Sequence, residues 1–472
     1  MLKRSSYLSL PERFYDLNSP MAARKAELIL FNRDLLSELD IDENKYDDDE
    51  LTQYFSGQKI FEGTQPFSQA YAGFQFGNPV YQLGDGRAHI LGELADHDIQ
   101  LKGSGATKFS RNGDGKSALG PVLREYIVSE AMHKLGVPTT RALCALASGE
   151  MVYRQDGPEP GGIFTRVAES HIRVGTFQYF LFRDDIDGIA KLLDYTINRH
   201  YPELTEIESV NDKCLQLLQN FTLKQARLIA KWKSFGFIHG VMNTDNFSLA
   251  GVTIDYGPCA FMDEFSQDKV FSFIDRYGRY CYKNQSEIAK WNILRFAECL
   301  IPLMPGDQKS NVQSIENTLS HSFSQFELEE QICFSAKLGI STCSDKSKVL
   351  INRFLKILEN NKLDFTLSFK ELNKVIKGED DYFSGIDEFH SWSKEWQEQE
   401  IDEQLLDNAN PIYIPRNHQI EIAIAAAYDG DYSYFHKLHQ CLQNPYVSDE
   451  RFKGLELAPK ISERVKNTFC GT

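Results

Sequence analysis

A chain of 472 residues, 42% apolar and 25% charged, has the composition of a folded protein and more length than one ordinary domain needs. Its formal net charge of −16 excludes a broad face for polyanions, so nucleic acid is not an expected partner and any cations gripping a nucleotide must be a local exception. No apolar run approaches the ~18 residues of a membrane span, the opening "MLKRSSYLSLPERFYDLNSP" has no apolar signal region, and nine scattered cysteines without a C-x-x-C pair fit a reducing compartment without a zinc site; the expected location is the cytoplasm.

The patterning divides the chain into residues 1–75, 76–175, 176–310 and 311–472. The first stretch is rich in Pro, Asn and Asp turns, and its acidic run "YDDDE" reads as a solvated face. In the second, "LGDGRAHILGE" reads as strand, turn and strand. Gly84 and Gly86 allow the backbone close to phosphates, and Arg87 stands beside them. "HDIQLKGSG" predicts a strand ending at Lys102. "SRNGDGKS" nearly matches the Walker A pattern, but Ser110 occupies the place of its first glycine, which rejects a P-loop. Asp114 and Gly115 remain in a flexible loop able to fold over a ligand. "GPVLREYIVSEAMHKLG" has Pro121 at a helix start and Gly136 just past its end, with Glu125 on an inward face beside Val122 and Val128. "FTRVAESHIRVG" adds Arg166 and Arg173, a pair able to clamp phosphates; either alone reads as ordinary surface ion pairing.

Residues 176–310 are predominantly helical. Thr222 and Gln225 in "TLKQARLIAKWKSFG" form a capping-box pattern, and Gly236 is a helix stop. "FIHGVMNTDNFSLAGVTIDYGP" follows, with "FSLAGVTIDYG" reading as a hairpin. His239 and Asn246 keep the spacing of the protein-kinase H-R-D-L-x-x-x-N motif, and Asp255-Tyr256-Gly257 stands where D-F-G would. The place of the catalytic base is taken by Val241. Asn246 and Asp255 are hard oxygen ligands for a divalent cation; the alternative is a plain turn built from Asn-Thr-Asp-Asn. A strand lysine followed by a helix glutamate, Lys102 and Glu125, matches the ion pair that positions nucleotide phosphates in kinases. A conventional phosphotransferase with a base from elsewhere and a silent ATP-binding scaffold both stay open at this point. The last 162 residues read as helical and charged, with breaks at "KGEDDYFSG" and "DNANPIYIPRN".

Four stretches, "LKGSGATKFSRNGDGKSALGPVLREYIVSEAMHKLGVPTTRAL", "GGIFTRVAESHIRVGTF", "HGVMNTDNFSLAGVTIDYGP" and "NPIYIPRNHQIEIAIAAAYDGDYSYFHKLHQCLQNPY", closely resemble the selenoprotein O family, SelO or YdiU, over essentially the whole chain. The resemblance implies an α+β, protein-kinase-like fold of two lobes, β-rich then helical, with N- and C-terminal extensions. It implies ATP (or UTP) bound in a flipped pose and transfer of AMP, or UMP, to Ser, Thr or Tyr hydroxyls of proteins. Gly84, Gly86, Arg87, Lys102, Asp114, Gly115, Arg166, Arg173 and Asp255 would contact the nucleotide. Asn246 and Asp255 would hold Mg²⁺ or Mn²⁺, and Asp245 would accept the proton. Members can carry a redox-active cysteine near the C-terminus. Cys470 fits that position, but "FMDEFSQDKVFSFID" holds no cysteine to pair with it, and Cys259 and Cys281 only flank that stretch.

Overall fold

The computed structural model describes residues 2–23, 25–39, 46–154, 157–379 and 381–469. It is an α+β protein with a β-sheet N-terminal region and a helical C-terminal part. The strands are β1 (Tyr15–Leu17), β2 (Glu27–Phe31), β3 (Phe67–Gln69), β4 (Gly73–Gln75), β5 (Asn78–Val80), β6 (Ala88–Leu94), β7 (His97–Lys102), β8 (Ser117–Ala118), β9 (Arg141–Arg154), β10 (Gly157–Ala168), β11 (Phe237–Ile238) and β12 (Ala260–Phe261). The main sheet runs β1-β3-β6-β7-β10-β9-β2, with β8 paired to β10. Strands from residues 1–75 therefore close both edges of the sheet.

Local chemistry explains the central hairpin. Ala95 and Asp96 both adopt positive φ, 44° and 61°, the paired left-handed geometry of a two-residue turn that matches strand twist. Along β7 the side chains alternate. Ile99 and Leu101 enter a core with Phe31, Leu35, Phe55 and Leu143, while Gln100 and Lys102 point to the opposite face. That period of two is what aims Lys102 at the helical part.

The helices are α1 (Arg33–Glu38), α2 (Asp48–Phe55), α3 (Leu119–Lys134), α4 (Val174–Leu181), α5 (Ile186–His200), α6 (Val210–Ser234), α7 (Gln285–Leu300), α8 (Gln308–Ser322), α9 (Ser324–Lys337), α10 (Asp345–Asn361), α11 (Phe365–Ile376), α12 (Asp387–Gln397), α13 (Glu403–Ala409), α14 (Asn417–Tyr428) and α15 (Ser433–Leu442). The acidic run lies at the N-terminus of α2, capped by Asp47, where carboxylates suit the helix dipole. Pro121 sits in the first turn of α3, and Gly136 beyond its end has φ 74°. Helix α3 packs on β9 and β10, and α14 and α15 return to cover it. One core joins these layers, from Tyr126 and Phe164 through Phe177, Phe221 and Trp232 to Phe435. A second, built on Phe354, Trp392 and Trp396, lies within α9–α13 and reaches Ile238 and Ala260.

Two local expectations give way. Helix α6 does not begin at Thr222: Ser209 caps it, accepting from Asp212 N at 3.3 Å, and Thr222 sits mid-helix with its hydroxyl donating to Leu218 O at 2.6 Å. The apolar 3.6-residue pattern continues upstream, so tertiary burial overrides the local capping signal. The predicted hairpin over 247–257 is absent. Ser248 bridges Arg173 and Thr253 bridges Thr139, while β11 pairs with β12. Each edge of that stretch finds a partner more remote in sequence than its own neighbour.

Candidate active site

Six segments converge on a polar cavity of about 110 Å³ lined by Gly86, Arg87, Gln100, Lys102, Arg166, Arg173, Asp245, Asn246 and Asp255, with Tyr71, Asp85 and Ala88. Lys102 comes from the end of β7, Glu125 from the second turn of α3, and Arg166 from β10. The rest come from the glycine turn before β6, the N-cap of α4 and the 243–255 loop.

The centre is a charge network. Lys102 Nζ donates to Glu125 Oε2 and to Asp255 Oδ1, both at 2.6 Å. Arg166 donates through Nε to the other Glu125 oxygen at 3.1 Å and through Nη1 to Gln100 Oε1 at 3.2 Å, and its Nη2 lies 4.0 Å from Asp255. Burial alone would raise the Glu125 carboxyl, but Arg166 and then Lys102 outweigh it and hold it ionised. Asp255 behaves likewise: burial opposes ionisation, and Lys102, Arg166 and Arg87 drive it far below the usual carboxylate range. Its backbone is left-handed, φ 68°, a conformation that costs energy for a non-glycine residue and turns the carboxylate toward Lys102. Arg87 Nη1 is buried without a partner among the described residues. A site with a spare buried guanidinium donor beside two further arginines is built for an anion.

Asp245 has a different environment. It is 7% exposed, and Oδ1 has no partner among the described residues; Oδ2 receives only Gln75 Nε2, at 3.5 Å. Burial pushes its carboxyl up to about 6, against the pull of Arg173, whose Nη1 donates to the Asp245 backbone oxygen at 3.0 Å. Strand β4 clips this loop in place: Phe74 N donates to Thr244 Oγ1 at 2.7 Å, and Phe76 N to Asn243 Oδ1 at 3.1 Å. Asn246, which lines the cavity, donates its amide nitrogen to Val241 O at 3.1 Å and so keeps its Oδ1 as the acceptor. Val241 is buried, so no proton-accepting side chain stands in that position.

The structure brings together Gly86, Arg87, Lys102, Arg166, Arg173, Asp245, Asn246 and Asp255 as cavity residues, with Glu125 behind them. Gly84 lies next to the cavity, φ 75°, against Phe109, where a Cβ would come within 2.3 Å of the ring. Asp114 and Gly115 do not line the cavity. Asp114 accepts from Arg154 Nη1 at 2.9 Å, and Gly115 packs against the Gly105 backbone. Their loop touches the cavity wall indirectly, through Thr107 Oγ1 donating to Asp85 O at 2.8 Å. Cys470 lies outside the described residues. Sequence reasoning passed over Asp85, Tyr71, Gln75 and Gln100. Asp85, between two glycines in "GDG", was the only one with a local signal.

Both candidate metal ligands fit a hard divalent cation, an ionised carboxylate and an amide oxygen on two residues that line the same cavity. Among the described residues there is no cluster of three His, Cys, Asp or Glu that could hold a metal unaided. That count suits a cation completed by substrate phosphates.

Comparisons with known proteins agree in one direction. A family model described as "Protein adenylyltransferase SelO" matches residues 3–443. "Protein nucleotidyltransferase YdiU" of Rhodopseudomonas palustris (strain HaA2) is 45% identical, over 99% of this chain and 98% of that protein. The protein of the same name from Agrobacterium fabrum (strain C58) is 46% identical over 99% of each. In Maridesulfovibrio salexigens the figures are 45%, 99% and 98%. The cavity's ionised carboxylates and surplus arginines are thus those of a chain that belongs to the SelO family and is a nucleotidyltransferase.

Proposed function

We propose that this chain transfers AMP, and alternatively UMP, from a nucleoside triphosphate to Ser, Thr or Tyr hydroxyls of protein acceptors and releases pyrophosphate. The observation that carries the reading is a cavity that gathers Arg87, Lys102, Arg166 and Arg173, while Asp245, whose Oδ1 has no partner among the described residues and whose carboxyl is lifted to about 6, stands in for the missing base at Val241. Lys102, Arg87, Arg166 and Arg173 would take the β- and γ-phosphates, so that the α-phosphorus faces the acceptor. Gly84 and Gly86 admit the backbone to the triphosphate, and Asp114 and Gly115 would close over it from the neighbouring loop. Asn246 and Asp255 would hold Mg²⁺ or Mn²⁺, which when bound supplies charge neutralisation for the phosphates.

The acceptor hydroxyl would lose its proton to Asp245 Oδ1 while its oxygen bonds to the α-phosphorus. The bond from that phosphorus to the bridging oxygen breaks, and pyrophosphate leaves with the electron pair. Lys102 and Arg166 stabilise that charge without reorganising, because Glu125 and Gln100 already fix them.

The architecture supporting this is read as kinase-like: residues 76–175 as the β-rich lobe, 176–310 as the helical lobe, 1–75 and 311–472 as extensions. No helix of the described residues is long and apolar enough to cross a membrane; the reading places the enzyme in the cytoplasm, acting on proteins and not on nucleic acid. A labelling experiment tests it. ATP labelled on the α-phosphate should mark protein, γ-labelled ATP should not, and modified peptides should gain an adenylyl group. Incorporation of γ-label without α-label overturns the reading in favour of a kinase.

A further inference from the structure

The segment 271–280, "FSFIDRYGRY", runs from the 255 loop toward α7 and presents an unusual surface. Phe273 and Ile274 are half exposed or more, and Tyr277 is 99% exposed. These side chains are held out by a well-anchored backbone. Asp275 accepts from Arg279 N at 2.9 Å and Tyr280 N at 2.8 Å, and Gly278 takes φ 65°. Phe273 N donates to Thr468 O at 3.2 Å, and the Phe273 ring meets Phe469, itself exposed, at 5.0 Å. Apolar side chains fixed in water behave as recognition anchors.

Charge and position add to this. Arg276 and Arg279 have no carboxylate partner among the described residues, in a chain carrying 67 acidic and 51 basic side chains. The Arg279 guanidinium lies over Trp291 at 4.9 Å, and its Nε is buried and unpartnered. Tyr280 OH donates to Asn243 Oδ1 at 2.6 Å, which ties the segment to the loop bearing Asp245. The β4–β5 hairpin spans the gap: a Cβ on Gly73 would lie 2.7 Å from Asp245 Oδ1, and one on Gly77 would lie 3.5 Å from Arg279 Cζ. Those glycines lie four positions apart along the hairpin, a span of at most ~13 Å or about four residues of extended chain.

We infer that this face, Phe273, Ile274 and Tyr277 with Arg276 and Arg279, is where the acceptor protein docks, and that it selects an extended segment carrying an apolar and an acidic side chain within about four residues of the modified hydroxyl. The inference rests on the proposed adenylyl transfer to proteins. It supplies the acceptor selectivity that the nucleotide cavity itself does not.

Two synthetic peptides test it on the full chain, each with one tyrosine and a leucine, differing by glutamates or lysines three residues from the tyrosine. With α-labelled ATP the wild type should modify the glutamate peptide with a KM at least tenfold lower. Arg276→Glu/Arg279→Glu should abolish or invert that preference while kcat and ATP affinity stay unchanged. Arg276→Glu/Tyr277→Ser, confined to exposed positions, should weaken it without touching the fold. Equal KM values for both peptides in the wild type, or an unaltered preference in the variants, overturn the inference while leaving adenylyl transfer standing. Absence of α-label from every peptide and protein overturns the underlying reading instead. A wild-type dimer dissociated by the charge reversal assigns the face to a second copy and overturns the inference.

Discussion

Asp245 and Asp255 are ten residues apart in sequence, and their surroundings drive them in opposite directions. Asp255 is surrounded by Lys102, Arg166 and Arg87 and stays ionised at any working pH. Asp255→Ala should therefore abolish transfer while thermal melting shows a folded protein; unchanged turnover would remove it from the metal and phosphate site. Asp245 is buried with one weak donor, and its carboxyl rises to about 6. A proton acceptor must be ionised, so kcat should climb with pH through about 6 and then level off. Asp245→Asn should remove that limb and slow transfer by roughly 10²–10⁴-fold with ATP affinity nearly unchanged. Loss of ATP binding without a rate defect would place Asp245 on the nucleotide instead.

Among the elements, α9 ends in an arrangement that pH can probe. Lys337, 3% exposed, lies in its last turn, within 6 Å of the rings of Phe235, Phe365 and Phe369, and its Nζ reaches only Ala409 O at 3.4 Å. The ring faces favour the ammonium, but burial without a carboxylate dominates and pulls its pKa down to about 7. The unfolded chain keeps this proton to about pH 10. Between 7 and 10 the unfolded state therefore binds more protons, and stability rises with pH. Lys337→Met should raise the urea midpoint at pH 7 and flatten that rise; a lower midpoint would show that the ring contacts outweigh desolvation. The same scale shows why some local readings failed. Thr222 with Gln225 is a genuine capping pattern, yet α6 passes through it because Leu217, Leu218 and Phe221 are buried in the turn before.

Across the whole molecule, the C-terminal helices are tied to the segment beyond Asp255. Arg416, 1% exposed at the N-cap of α14, donates to Asp263 at 2.9 Å and to both oxygens of Asp364, the cap of α11. Arg416→Ala would leave the buried Asp364 carboxylate facing the partly buried Asp263 without their shared cation, at a cost of about 3–5 kcal/mol. Because the core is shared between sheet, α3 and α14–α15, unfolding of that variant should remain a single transition detected alike by near-UV and far-UV circular dichroism. Two separated transitions would show that the C-terminal part folds independently of the site.

The sequence by itself determined the residues whose role depends on local spacing. Lys102 at a strand end and Glu125 in a helix turn were legible because strand and helix periodicity places each side chain within its own element, and Asn246 and Asp255 because they keep the spacing of a metal-binding loop motif. The absence of a base at Val241 was equally plain. Only the tertiary structure decided which groups complete the site. Asp85, Gln75 and Tyr71 belong to turns and a short hairpin with no periodicity of their own; Asp85 and Tyr71 line the cavity, and Gln75 reaches Asp245 from the hairpin that grips Asn243 and Thr244. It also decided that Asp114 pairs with Arg154 away from the cavity, and that burial lifts the Asp245 carboxyl to about 6. Burial and charge proximity are properties of packing between distant segments, and no stretch of sequence carries them alone.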